Sequence, residues 1–329
     1  MKKKAIFGWM LILAVVVLFS AGCRREQGAR GAAEQVRRPA VYSLATAGLG
    51  GTYYIVGAGL SEVLTRDISH LTVNAIIAGG STGNPVMLHR REAEIGITNY
   101  ISAANAIAGN PPFEQPIAIR GIAPLQYSQL HIMVMGNSGF YSLPDLRGRR
   151  VNLGPAAGGG ALFFRELLPF WGLSEADFNF SFLSYTEGTE ALRDGRIDAN
   201  TPNGAAPLET VSSLAAFTGV RLISLEAENM RRVNERFPHY DHARIPGGTY
   251  RGIDNDVWTG GVQDILVVRE DMDEEEAYMI TRAIFDAIED VRRVHPSVNN
   301  MVFDNYNHTL VPLHPGALRF YRERGIPIQ

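Results

Sequence analysis

From Val41 onward, short β-rich runs alternate with amphipathic helical patterns. The runs that predict strands are 41-VYSLAT-46, 72-TVNAII-77, 94-EIGIT-98, 131-HIMVM-135, 150-RVNLG-154, 197-IDAN-200, 220-VRLISL-225 and 262-VQDILVV-268. The main helical patterns occupy 53–66, 85–91, 160–171, 186–195, 205–216 and 273–296. This alternation predicts an α/β fold with mostly parallel sheets, and the length of the chain suggests two domains.

Three of the predicted strands run into a glycine-rich turn that begins a helix. The turns are Gly50-Gly51-Thr52, 79-GGSTG-83 and 154-GPAAGGG-160. Neither a G-x-G-x-x-G fingerprint nor a glycine–lysine phosphate loop fits, so the turns do not favour a nucleotide. Unpaired backbone N–H groups at helix starts attract other anions, including carboxylates. Three such junctions indicate two lobes that face a common cleft.

The N-terminus carries an export signal. Three lysines precede a short apolar run and then small residues, so 1–22 is predicted to be a signal peptide. Cys23 is the only cysteine, and its place directly after Ser20-Ala21-Gly22 resembles a bacterial lipobox, although Ser20 stands where leucine is usual. We expect a periplasmic protein that is anchored to the membrane by a lipid on Cys23. The polar segment 23–40 is predicted to be a flexible tether.

Charge and lysine content exclude several classes of functional site. Lys2, Lys3 and Lys4 are the only lysines, and their loss with the signal changes the formal net charge from −3 to −6. A chain without lysine has no phosphate-loop lysine, Schiff-base lysine or Ser-Lys dyad. A mildly acidic surface argues against nucleic acid as a partner. No cofactor is expected.

A serine hydrolase is the alternative. Gly79-Gly80-Ser81-Thr82-Gly83 matches the G-x-S-x-G turn that holds a nucleophilic serine, and later acids with a later histidine are available for a triad. The candidate histidines are His295, His308 and His314. The motif is short, it follows only about two strands of the mature chain, and no HGGG-type oxyanion loop precedes it.

No metal site is predicted. The sequence has no HExxH motif and no EF-hand spacing. His239, Asp241 and His242 lie close together in 237-FPHYDHARIPGG-248, and the turn residues of this segment are typical of a solvated loop.

The ordered set of motifs resembles the TAXI family, the extracytoplasmic solute receptors of one class of TRAP transporter. The motifs are GGTYYIVGAGLSEVL, GGSTGNPVMLHRREAEIGIT, SLPDLRGRRVNLGPAAGGG, EALRDGRIDA, IPGGTYRGIDNDVWT and LVPLHPGALRFYRERG. They extend from about Val41 to Ile326. The resemblance implies a two-lobed periplasmic-binding-protein fold of type II with a hinge between the lobes. Lobe one would comprise 41–130 and 260–329, and lobe two 131–259.

The resemblance also implies a binding protein rather than an enzyme. Such a receptor clamps a small carboxylate, such as glutamate, glutamine or another organic acid, and delivers it to the membrane subunits of the transporter. A role as a ligand sensor for a signalling partner shares the same fold and stays open. The residues that the resemblance places at the ligand are Gly51, Thr52, Tyr53, Ser81, Thr82 and Asn99 from lobe one, and Gly158, Gly159, Asn203, Gly204 and Trp258 from lobe two.

Three positions depart from the family pattern. Leu49 replaces a small or hydroxyl residue, 157-AGGG-160 replaces a G-S-G-T type run, and Asn99-Tyr100 stands where glutamine is frequent. Backbone N–H groups still favour a carboxylate, whereas the missing hydroxyls could admit a larger or more apolar acid.

Overall fold

A computed structural model describes residues 37–328, with the side chains of Asn300 and Asn305 excepted. Three predictions lie outside the described residues: the signal peptide at 1–22, lipid attachment at Cys23, and the tether as far as residue 36. Residues 40–328 form one compact unit. None of the helices in the described part combines the length and the apolar character that a bilayer span requires.

Strands and helices alternate along the chain. The strands are β1 (Ala40–Ala45), β2 (Leu71–Ile76), β3 (Ile95–Asn99), β4 (Ile119–Leu130), β5 (Met133–Met135), β6 (Arg150–Asn152), β7 (Asn179–Ser181), β8 (Ala199–Asn200), β9 (Asn203–Gly204), β10 (Val220–Leu222), β11 (Asp241–Ile245) and β12 (Val257–Arg269). The helices are α1 (Thr52–Asp67), α2 (Gly83–His89), α3 (Tyr100–Ala108), α4 (Gly159–Leu167), α5 (Tyr185–Arg193), α6 (Glu209–Phe217), α7 (Ala227–Arg236), α8 (Glu274–Asp286), α9 (Ile288–Val294) and α10 (Pro315–Glu323).

The strands form two sheets. The larger sheet has the order β2-β1-β3-β12-β4-β9, and β11 pairs with β12 beside this path. The smaller sheet has the order β10-β5-β8-β6-β7. Every predicted strand run contains one of these strands or part of it, and the alternating α/β class is confirmed.

The prediction of mostly parallel sheets is wrong. In the larger sheet β1 is parallel to β2 and β3, whereas β12 is antiparallel to β3, β4 and β11. In the smaller sheet β6 is parallel to β7 and β8, whereas β5 is antiparallel to β8 and β10. The larger sheet is mixed because β12 and β4 extend it beyond the parallel strands β2, β1 and β3, and β4 is a strand that the sequence pattern did not predict.

Two other expectations need correction. The segment 237–248 is not simply a loop, because β11 lies within it and pairs with the first half of β12. The single helix predicted for 273–296 divides at Ala287 into α8 and α9. Its apolar face stays buried across the break, with Ile280, Ile284 and Val291 inaccessible to solvent.

Strands β4 and β12 link the two halves of the core. The largest hydrophobic cluster combines residues from the two ends of the described chain, and it contains Leu125 of β4 and Ile265 of β12. A second cluster lies around the smaller sheet and contains Leu130 and Val262 of the same two strands. The two strands therefore run from one core into the other, which is how a two-lobed protein is joined by more than one crossing of the chain.

Candidate functional site

A cavity of about 40 Å³ lies where the turns after several strands meet. Its walls come from the turns that begin α1, α4 and α5, from the turn before α2, and from β9. The lining residues are Ala47, Gly48, Leu49, Gly51, Thr52, Tyr53, Gly79, Gly80, Ser81, Pro155, Gly158, Gly159, Ser184, Tyr185 and Asn203. All three glycine-rich turns that the sequence analysis identified contribute to this one cavity.

The start of α1 presents backbone donors at the cavity. Gly51 is the N-cap residue, its backbone is extended, and no side chain caps this end of the helix. Gly50 has a φ of +87°, a conformation that glycine adopts without strain, and it turns the chain into the helix. Within the described part of the chain, the N–H groups of Thr52 and Tyr53 have no backbone acceptor. They belong to the unpaired donors of the first helical turn.

The start of α4 has the same construction. Gly158 is the N-cap residue, with an extended backbone and no side-chain cap. The N–H groups of Gly159 and Gly160 have no backbone acceptor among the described residues. The cavity therefore lies at two uncapped helix starts, each of which carries a positive partial charge from the helix dipole.

The close approach of the turns requires glycine at Gly159. A Cβ atom at this position would lie 2.7 Å from Asn99 Nδ2 and 2.7 Å from Ser81 Oγ. A Cβ at Gly160 would lie 2.6 Å from Asn203 Cβ. Separations below 3 Å leave no room for a side chain, so the run of glycines in this turn allows its backbone to reach the opposing turn.

The helix predicted at 186–195 begins at the cavity, although no residue of this turn was predicted for the site. Ser184 forms a capping box with Glu187, in which the Ser184 side chain accepts from the Glu187 N–H and the Glu187 side chain accepts from the Ser184 N–H. Tyr185 follows as the first helical residue and is buried against the cavity. Burial raises the pKa of its phenol to about 12. The S-x-x-E spacing of the capping box was the signal available in the sequence.

A chain of hydrogen bonds leads from the cavity wall into the core. The Ser81 hydroxyl lies 3.0 Å from the Tyr53 hydroxyl. Tyr53 donates to Asp264 Oδ1 at 2.6 Å, and Ser128 Oγ donates to Asp264 Oδ2 at 2.5 Å. Burial raises the pKa of the Asp264 carboxyl to about 8, while its hydrogen bonds from Ser128 and Tyr53 oppose that shift. Burial, followed by the proximity of Asp264, raises the pKa of Tyr53 well above its usual value.

The cavity wall carries no formal charge. Its lining residues include no aspartate, glutamate, lysine, arginine or histidine. A ligand would instead meet backbone N–H groups, the hydroxyls of Thr52, Tyr53, Ser81 and Ser184, and the amide of Asn203. Such a wall can hold a small anion through hydrogen bonds and helix dipoles without an ion pair.

Seven of the eleven predicted site residues line the cavity: Gly51, Thr52, Tyr53, Ser81, Gly158, Gly159 and Asn203. Thr82 and Gly204 lie beside it. The Thr82 hydroxyl and N–H both donate to the carbonyl of Ala157, so this side chain contacts the opposing turn. Gly204 lies behind Thr52, whose Oγ1 would be 2.9 Å from a Cβ at that position.

Asn99 and Trp258 are also absent from the lining. The Asn99 side chain caps α3 by accepting from the Ser102 N–H at 2.8 Å, which is a structural role. The Trp258 side chain is 44% exposed, and its ring lies 5.0 Å from that of His242 between centroids. Alternation along β12 directs Trp258 away from the buried neighbours Val257 and Thr259, so it does not form a wall of the cavity.

The histidines considered for a hydrolase triad are engaged elsewhere. His295 Nδ1 lies 2.7 Å from Ser297 Oγ, His308 Nδ1 accepts from the Leu313 N–H, and His314 Nδ1 accepts from the Gly316 N–H. Ser81 Oγ has the Tyr53 hydroxyl as its partner instead of an imidazole. Among the described residues, no group of three or more His, Cys, Asp or Glu side chains is arranged to hold a metal ion.

The chain matches a known protein family over most of its length. A model described as the NMT1-like family matches residues 44–325. The match spans both sheets and all three glycine-rich turns.

Solved structures resemble the fold at low sequence identity. A protein from Bordetella bronchiseptica RB50 gives a TM-score of 0.52 at 16% identity, covering 85% of this chain and 82% of that one. A Listeria monocytogenes protein described as an L-cystine ABC transporter gives 0.51 at 11% identity, covering 79% and 96%. PhnD1 from Prochlorococcus marinus, solved in complex with methylphosphonate, gives 0.50 at 13% identity, covering 87% and 98%. The predicted two-lobed periplasmic-binding-protein fold is confirmed.

Proposed function

The chain belongs to the NMT1-like family, and from this premise we propose that it is an extracytoplasmic solute-binding receptor. In this proposal the receptor binds a small carboxylate in the cavity between the glycine-rich turns and delivers it to the membrane subunits of a transporter. Both sheets would take part in binding, because the turns that line the cavity follow strands of both sheets.

The observation that carries the proposal is the meeting of two uncapped helix starts at one uncharged cavity. The N–H groups of Thr52 and Tyr53 come from α1, and those of Gly159 and Gly160 come from α4. A carboxylate supplies the acceptors that all four donors lack. A helix start stabilises a nearby negative charge by about 0.3–1 kcal/mol at exposed sites and by up to about 2 kcal/mol when partly buried.

Contacts between the turns support ligand capture by closure. The Thr52 hydroxyl accepts from the Ala205 N–H at 3.1 Å, and the Ala157 carbonyl accepts from the N–H groups of Thr82 and Gly83 at 3.2 Å each. These bonds join segments that are more than 70 positions apart. A ligand that touches both sides favours the closed state, because it makes its full set of contacts only there.

We propose a TRAP-type transporter as the partner, on the strength of the sequence motifs. An ABC-type partner is the second candidate, because the similar Listeria monocytogenes protein is described as an L-cystine ABC transporter. Uptake in vesicles separates the two: a TRAP-type partner requires an ion gradient, and an ABC-type partner requires ATP. Membrane attachment through a lipid on Cys23 belongs to the same proposal, as does an export signal at 1–22.

The proposed receptor is not an enzyme. Ser81 is bonded to a phenol, and the three candidate histidines are bonded elsewhere, which disfavours the serine hydrolase. Treatment with a fluorophosphonate probe tests this point. Labelling that disappears in Ser81→Ala would support the hydrolase and would contradict the receptor.

The direct test of the function is a thermal-shift screen of small acids. The panel includes glutamate, glutamine and glutarate, with the corresponding neutral diamide of glutarate as a control for charge. A ligand at 100 times its dissociation constant adds about 2.7 kcal/mol of stability, so a binder raises the Tm measurably. If the diamide raises the Tm as much as the acids do, or if no acid raises it, the carboxylate assignment fails.

A further inference from the structure

A buried carboxyl group lies directly behind the cavity wall. Asp264 of β12 is fully buried, and it reaches the cavity through the hydroxyls of Tyr53 and Ser81, both of which line the cavity. The three groups form an unbroken chain with separations of 2.6 Å and 3.0 Å. The proposed function does not require an acid at this position. If Asp264 is ionised, only the phenol of Tyr53 separates its negative charge from an anion in the cavity.

Among the described residues, no cationic side chain interacts with Asp264 to compensate a charge. Tyr53 of α1 donates to one carboxyl oxygen, and Ser128 of β4 donates to the other. The titratable groups that interact with it are the phenols of Tyr53, Tyr127 and Tyr185, from α1, β4 and α5. Burial raises the pKa of each of these phenols, so all three stay neutral through the physiological range.

We propose that Asp264 is a specificity-determining residue of the solute site, and that it takes up a proton when an anionic solute binds. The inference rests on the proposed function, because it assumes that a carboxylate occupies the cavity. Asp264 is a positioning residue: it acts on the solute through Tyr53 and Ser81 and does not touch it.

The direction of the hydrogen bonds gives the mechanism. When Asp264 is ionised, Tyr53 donates to it, Ser81 donates to Tyr53, and Ser81 presents lone pairs to the cavity. When Asp264 is protonated, it donates to Tyr53, Tyr53 donates to Ser81, and the Ser81 proton points into the cavity. A carboxylate is repelled by the first arrangement and accepts a hydrogen bond from the second, so its binding raises the affinity of Asp264 for the proton.

The same chain of hydrogen bonds discriminates between two classes of acid. An ammonium group that faces Ser81 is favoured by the ionised arrangement, whereas a carboxylate or a keto oxygen at that position is favoured by the protonated one. The free carboxyl titrates with a pKa of about 8, and a bound anion raises this pKa further. The affinity for a dicarboxylate should therefore be constant below about pH 7 and should fall by up to roughly tenfold per pH unit above pH 8.

The test measures binding of glutarate and of L-glutamate, which differ by one ammonium group. Calorimetry at pH 8 in two buffers of different ionisation enthalpy counts the protons taken up, and titrations between pH 6 and pH 10 give the affinity profile. We expect net proton uptake with glutarate and a fall in its affinity above pH 8. We expect a smaller uptake with L-glutamate if its ammonium faces Ser81.

The variant Asp264→Asn tests whether Asp264 is the group that takes up the proton. Its neutral amide should abolish the uptake, flatten the pH profile and strengthen glutarate binding at pH 9 relative to the wild type. If this variant does not fold, the infrared difference spectrum of the wild type on addition of glutarate replaces it, and the band of a newly protonated carboxyl group is expected. Glutarate binding with neither proton uptake nor pH dependence overturns the inference and leaves the proposed function intact. Failure of both acids to bind at every pH overturns the proposed function together with it.

Discussion

The carbonyl of Ala157 accepts three hydrogen bonds from the opposing turn, two of which come from Thr82. The Thr82 N–H donates at 3.2 Å, its hydroxyl donates to the same oxygen, and the Gly83 N–H completes the set. Ala157 lies in the turn before α4, and Thr82 lies at the start of α2. This contact joins the two glycine-rich turns directly beside the cavity, without contributing a Thr82 atom to its wall.

Replacing Thr82 by valine should weaken solute binding without altering the cavity wall. The variant Thr82→Val removes one donor to Ala157 and keeps the shape of the side chain. A hydrogen bond contributes about 0.5–1.5 kcal/mol net, so the dissociation constant of a bound acid should rise roughly two- to tenfold. Calorimetric titration measures the change. Thr218→Val is the matched control, because the Thr218 hydroxyl donates to the Leu214 carbonyl at the C-terminal end of α6. Equal affinities for the two variants would contradict a role of this contact in closure.

The variant Gly159→Ala should impair binding through a steric effect alone. The added Cβ would overlap Asn99 and Ser81, and it would separate the two turns while leaving every backbone donor in place. Overpacking costs about 1–3 kcal/mol, so the affinity should fall roughly tenfold or more. Gly219→Ala is the control, since a Cβ there meets no atom within 4 Å. Wild-type affinity in Gly159→Ala would show that the turns do not need to approach this closely for binding.

A buried amide pair next to the cavity should dominate local stability. Asn152 Nδ2 donates to Asn200 Oδ1 at 2.9 Å, and Asn152 Oδ1 accepts from the Leu183 N–H at 2.8 Å. Truncation by Asn152→Ala leaves these buried partners unsatisfied, which should lower the free energy of unfolding by about 1–3 kcal/mol. Urea denaturation measures this loss. Asn179→Ala, an exposed asparagine on the neighbouring strand β7, should change it little, and an equal loss in both variants would refute the role of the pair.

The free energy of unfolding should decrease as the pH is lowered, because of His131. This residue is fully buried, with Nδ1 at 3.0 Å from the Gln129 carbonyl and Nε2 at 2.7 Å from the Tyr250 hydroxyl. Burial lowers the pKa of its imidazole to about 4. The unfolded chain binds the proton from about pH 6.5 downward, so stability is complete above that pH and is lost progressively towards pH 4. The loss should approach about 3 kcal/mol.

Comparison with His131→Gln isolates this contribution. Asp264 has a raised pKa and changes stability in the opposite sense, because the folded state retains its proton to a higher pH. The difference in unfolding free energy between the wild type and the variant should therefore shrink as the pH falls from 6.5 to 4, independently of Asp264. A difference that stays constant over this range would mean that His131 is already protonated in the fold.

Local patterns predict the elements of this fold better than their pairing. The glycine-rich turns before α1 and α4 could be predicted because an apolar run, a glycine and an amphipathic run succeed one another within a few residues. Strand β4 was missed because Gly121 and Pro124 interrupt its pattern. The structure accommodates Pro124 close to a register shift in the pairing of β4 with β12, where one ladder position is skipped.

The missed site residues have identifiable causes. Asp264 stands inside the apolar run 262-VQDILVV-268, and a lone acid in a buried strand is a signal that the sequence analysis did not use. The contact of Thr52 with Ala205 spans 153 positions, and no local pattern encodes a pairing at that distance. Trp258 was assigned to the cleft by family position alone, but its place in β12 turns the ring outward.

A crystal structure with the acid that gives the largest thermal shift would test the central claim most directly. The account predicts carboxylate oxygens about 2.7–3.2 Å from backbone nitrogens at both helix starts, namely those of Thr52 or Tyr53 in α1 and those of Gly159 or Gly160 in α4. An acid bound at only one helix start, or bound outside the cavity, would contradict it.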